Sequence, residues 1–135
     1  MAKYQRKLVW QRAKGCCEYC QLPQEYSILP HETDHIRAKK HHGAHNLENT
    51  CLACAHCNGA KGSNAAGYDL ETGDLVPLYN PRTDSWEDHF LWDGPILVGK
   101  TPVARATIDV LNINDPICLD QRHFLIDADL FPWDK

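Results

Sequence analysis

Long apolar runs are missing from this chain. Nothing approaches the roughly 18 consecutive apolar residues that a membrane-crossing helix needs, so no membrane partner is expected. The opening stretch MAKYQRKLVWQRAKG lacks the apolar centre of a secretory signal, and the expected compartment is the cytoplasm. Positive charge is also in short supply. The formal net charge is −4, which taken alone speaks against a nucleic-acid partner. Internal repeats and low-complexity tracts are absent, leaving 135 residues, the usual length of one globular domain.

The average charge hides a division. Residues 1–64 carry nine Lys/Arg against five Asp/Glu, together with six of the eight histidines. Residues 65–135 carry five bases against 13 acids. The halves therefore stand at +4 and −8, an asymmetry that points to nucleic acid as readily as to a solvated basic face. Cysteine is plentiful, at seven residues. In a reducing compartment that excludes a disulfide framework and favours metal ligands plus buried thiols. Cys51 and Cys118 read as buried thiols.

Cys17-x-x-Cys20 and Cys54-x-x-Cys57 are two knuckle-like pairs, and two knuckles complete a tetrahedral zinc site. Cys16 in place of Cys17, or the pair Cys51-x-x-Cys54, also satisfies the spacing. A redox CxxC lacks the strand–helix setting it normally has. The preferred set, Cys17, Cys20, Cys54 and Cys57, staples the ends of an inserted segment, residues 21–53. Inside that segment lies TDHI, with Asp34 beside His35. On a strand the two side chains point to opposite faces, so one can hold an ion while the other meets a substrate.

Local patterns place the elements. Residues 3–14 read as a helix with Tyr4, Leu8 and Val9 on its apolar side, stopped by Gly15. CCEYC is a tight turn, residues 26–37 are short extended pieces broken at Pro30, and residues 39–46 are a polar loop turning on Gly43. From Leu47 a short turn leads to a helix from about Cys54 to Gly62. Thr72-Gly73 between two short runs suggests a hairpin. Ser85-Trp86-Glu87-Asp88 suggests a capping box opening a short helix, with HFLW following. PILVG reads as a strand. Thr101-Pro102 and Asp115-Pro116 open two further helices, the first with Val103, Thr107, Val110 and Leu111 on one side. Trp86, Trp92 and Trp133 are read as core or docking residues.

The string DHIRAKKHHGAHNLENTCLACAHCNGAKG resembles the HNH endonuclease family, whose pattern joins a CxxC knuckle, Asp-His, a Gly-containing loop, Asn-Leu-x-Asn, and a CxxC-Asn-x-x-Lys helix start. Asp34-His35, Asn49, Asn58 and Lys61 match its elements in turn. The proline often found three residues after the histidine is Ala38 here, and a frequent Gly-Gly is His42-Gly43. The resemblance covers about residues 15–64 and implies an α+β architecture: a small ββα-metal finger with a structural zinc, an N-terminal helix, and a C-terminal extension of short strands and helices. The expected division is 1–64 for the finger and 65–135 for an acidic extension packed on it, which offers a surface to a second copy or a protein partner.

The resemblance further implies a metal-dependent DNA endonuclease. His35 is then the general base, since a neutral imidazole takes a proton near pH 7. Asp34 and Asn58 are expected to hold Mg²⁺ or Mn²⁺ through oxygen. Asn49 is expected to hold the loop that bears His35, and Lys39, Lys40 and Lys61 to touch the DNA backbone. His31, His41, His42, His45 and His56 stay outside the catalytic set. The competing expectation is a zinc module that binds nucleic acid or protein without catalysis.

Overall fold

The computed structural model describes residues 3–132, with only the backbone of Lys3 and Tyr4, so Trp133 lies outside the described residues. Helix α1 spans Lys3–Arg12. It stops short of the expected residue 14 because the backbone turns left-handed at Lys14 (φ 54°) and Gly15 (φ 70°). Glycine at 15 also answers a lack of space: a Cβ there would come 2.7 Å from the Trp10 ring. Val9 and Ala13 pack on Leu52, with Leu47 beside them.

The chain forms two compact units. The first holds residues up to Ala65 together with Asn80–Thr83. In it, β1 (Glu32–His35) pairs antiparallel with β2 (Thr50–Ala53), setting Asp34 opposite Cys51 and His35 opposite Thr50. Helix α2 (Ala55–Lys61) follows at once. Its first turn is capped by Cys54, whose Sγ accepts from the Cys57 N–H at 3.4 Å. Local pattern suggested only a turn before α2. All four residues of β2 are buried, so the strand shows none of the alternation that betrays a half-buried one. Arg12 ties α1 to this finger, donating to the carbonyls of Leu47 (2.9 Å) and Thr50 (2.7 Å).

The second unit holds Ala66–Tyr79 and the chain from Asp84 onward. β3 (Ala66–Tyr68) and β4 (Leu75–Pro77) form the expected hairpin, with Gly73 left-handed at φ 78°. α3 (Trp86–His89) is a single turn. Its expected cap is not made: Ser85 Oγ donates to Glu87 Oε2 at 3.3 Å, not to the helix backbone. Phe90–Asp93 then extends as β5 and pairs with β6 (Ile96–Gly99). α4 (Pro102–Val110) and α5 (Pro116–Asp127) begin on real caps, Thr101 Oγ1 accepting from Ala104 N and Asp115 Oδ1 from Ile117 N.

The buried residues of this unit include Phe90, Leu97, Ala104, Ala106, Leu111 and Leu125. Trp86 and Trp92 belong to an aromatic row, 6.0 Å apart, with Phe131 edge-on to Trp92 and the Arg122 guanidinium 5.3 Å over it. Cys51 is buried and Cys118 half-buried. Among the described residues no helix is long and apolar enough to cross a membrane.

Candidate active site

Two centres lie in the first unit. The Sγ atoms of Cys17, Cys20, Cys54 and Cys57 all fall within 4.8 Å of one another, and all four residues are buried. Zinc–sulfur bonds of about 2.3 Å at tetrahedral angles set neighbouring sulfurs about 3.8 Å apart. Cys20 and Cys54 stand at 3.8 Å, so the cluster fits zinc as it is. Burial alone would push the Cys17 thiol up, yet hydrogen bonds from Cys20, Cys54 and Cys57 bring it well below the usual thiol range. The other spacings fail on geometry. Cys16 Sγ points to the Lys14 carbonyl at 3.6 Å. The β-register turns Cys51 to Asp34, with Sγ 3.6 Å from Oδ2.

Beyond the zinc cluster, α2 lies against β1 along two polar rungs. Residues two apart share a strand face, and residues three apart share a helix face. Glu32 and Asp34 on β1 therefore meet Asn58 and Lys61 on α2. Asn58 Nδ2 donates to Glu32 Oε2 at 2.5 Å, and Lys61 Nζ donates to Asp34 Oδ1 at 3.2 Å. Because a carboxylate only accepts, the first rung assigns the Asn58 amide and leaves its Oδ1 for another partner.

Asp34 is 3% exposed. Burial raises its carboxyl above the ordinary value, against the lowering effects of Lys61, Tyr19 and Cys51. Its Oδ2 accepts from the Tyr19 hydroxyl at 2.8 Å. Three of about four lone-pair sites are thus taken, by Tyr19, Cys51 and Lys61, and one on Oδ1 stays open.

Lys61, expected on the DNA side, is instead 1% exposed. Three positions past Asn58, its stem runs back over β1, and the ammonium also donates to the His35 carbonyl at 3.1 Å. A cation buried against a carboxylate cannot also meet solvent-borne phosphate, so Lys61 leaves the DNA-contacting set. Lys39 and Lys40 remain exposed on a short 3-10 turn, Lys39–His41.

His35 is half-buried, and burial, followed by the nearby Lys39 charge, lowers its pKa. A cavity of about 310 Å³ is lined by Asp34, His35, Lys39 and Asn58, with Thr33 and Gly62 among its other walls. Asn49 stands outside it. Its Oδ1 accepts from Arg37 N (2.9 Å), while Nδ2 donates to the carbonyls of Arg37 (2.9 Å) and Ala44 (2.7 Å). The cap in this stretch is Asn46, whose Oδ1 accepts from Asn49 N. Asn49 therefore spends its side chain on the loop after His35.

Residue patterns missed three contributors. Glu32 was findable two positions before Asp34 on the same strand face. Tyr19 carried no signal, because its contact with Asp34 exists only once the cysteine turn is folded. His45, which meets His35 Nε2 through Nδ1 at 2.6 Å, was lost among six histidines in the same half.

Two antiparallel strands, a short helix and a four-thiolate cluster define a zinc-stapled ββα-metal finger. Residues 17–64 match the family model described as HNH endonuclease, and this segment belongs to that family. Over 100 residues the chain is 27% identical to the Septu protein PtuB of Bacillus thuringiensis, a match covering 73% of this chain and 36% of that protein. The chain thus spans about a third of the length of the curated relative it matches. No solved structure matches significantly.

Proposed function

We propose that the finger is a metal-dependent endonuclease that hydrolyses DNA phosphodiester bonds. The observation that carries the reading is the meeting of Asp34, His35 and Asn58 around one cavity, with a lysine at its rim. A module that only binds has no need of that trio. His35, whose pKa burial and the nearby Lys39 charge lower, accepts the proton of the attacking water. Asp34 and the Asn58 carbonyl are the hard oxygen donors for Mg²⁺ or Mn²⁺. When bound there, such an ion would supply positive charge for the phosphoryl and departing oxygens. Asn49 keeps the His35 loop in place, and Lys39 and Lys40 bind the DNA backbone without regard to sequence.

One observation favours the second reading, a zinc module without catalysis: the Lys61 ammonium already neutralises Asp34. Supercoiled plasmid separates the two. With Mg²⁺ or Mn²⁺ the protein is expected to nick it, chelator to stop the reaction, and Asn58→Ala to raise the metal concentration required. Plasmid unchanged with either metal, from protein holding its zinc, contradicts the nuclease reading.

A further inference from the structure

His45 sits on the polar loop and is exposed. Its Nδ1 lies 2.6 Å from Nε2 of His35. The two ring planes are inclined by only 15°, with centroids 4.9 Å apart. That separation is nearly the N···N distance plus the offset of each nitrogen from its own ring centre. The imidazoles therefore lie edge to edge in almost one plane, not face on face. Imidazole N–H bonds and lone pairs lie in the ring plane, so this is the arrangement of a directed hydrogen bond.

When both rings are neutral, they share one proton across that contact. If His45 Nδ1 carries it, the proton belonging to His35 sits on Nδ1 and no lone pair is left for water. If His35 Nε2 carries it, Nδ1 of His35 is bare and basic. Only the second arrangement serves a base. We propose that His45 is a positioning residue that accepts the Nε2–H of His35, fixing its ring and directing Nδ1 to the reacting water; this rests on the nuclease reading above.

The loop holds the two rings in this pairing. Asn49 Nδ2 bridges the carbonyls of Arg37, two residues after His35, and Ala44, one residue before His45. One side chain thus clamps both backbone segments that carry the pair. Gly43 permits this closure: a Cβ there would lie 1.7 Å from the Arg37 carbonyl oxygen.

The test uses the full zinc-loaded chain and two variants. His45→Phe keeps a ring without an acceptor, and His45→Asn puts an amide oxygen near the place of Nδ1. The expected results are a kcat for plasmid nicking lowered about tenfold by His45→Phe, as for other groups that orient a reacting side chain, and partial recovery by His45→Asn. KM for DNA, zinc content and thermal midpoint should hold in both. Nitrogen-15 NMR of the wild type should show a His35 Nε2–H protected from exchange and lost in His45→Phe. Wild-type rates from His45→Phe, or equal losses in both variants, overturn the inference. So does a wild-type His35 with its proton on Nδ1, whatever the plasmid shows. A protected Nε2–H without nicking in any metal instead sinks the nuclease reading and leaves the contact standing.

Discussion

Asn49 and Lys61 show how far single residues yield to pattern reading. Three side-chain hydrogen bonds from Asn49 close the loop after His35. Asn49→Ala should lower the nicking rate about 10–100-fold, while each lost hydrogen bond costs only about 1 kcal/mol of stability; rate and urea midpoint together check this. The residue was legible because its spacing in the motif is invariant to how the loop folds. Lys61 was not. A lysine on a short helix reads as a solvated charge until the strand beneath it is known to carry a buried carboxylate. With the two side chains only 2% and 3% exposed, Lys61→Met strands Asp34 and should destabilise the first unit by about 3–5 kcal/mol. A urea midpoint equal to the wild type would contradict that burial.

Among the elements, the knuckles matter most. They join the cysteine turn to the start of α2 and so aim Asn58 across at β1. Zinc removal should unfold the finger, because a four-thiolate site contributes its binding energy to folding. Cys54→Ser is expected to lose both the metal and the helical signal of α2, read by metal analysis and circular dichroism. The helices opening at Thr101 and Asp115 were legible from cap chemistry alone, whereas β2 was hidden by burial on both faces.

In the second unit, Arg105 donates to both oxygens of Asp69 at 2.9 and 3.0 Å and holds that carboxyl far below the usual carboxylate range. A depressed folded pKa stabilises fully above the unfolded value of about 3.9 and is lost as pH falls below it. Stability from this pair should therefore be constant between pH 7 and 5 and decline under about pH 4. Asp69→Asn should lower the neutral midpoint and flatten the acid limb.

For the molecule as a whole, the charge division leaves the first half basic although the net charge is −4, which suits the DNA substrate proposed above. DNA binding should weaken steeply with salt, and Lys39→Ala with Lys40→Ala should reduce that dependence. The finger was legible because its metal ligands and catalytic candidates recur at set spacings. No such cluster falls among the described residues of the second unit, where the hairpin, one strand and the helix starts were legible from turn and cap signals. The most direct measurement is single-turnover nicking of supercoiled plasmid in saturating Mg²⁺ by wild type and His35→Ala, both with full zinc. His35 lies at the outer end of β1 and is no zinc ligand, so the variant should fold, keep its metal and lose nearly all nicking. Equal rates from the two proteins would contradict the account.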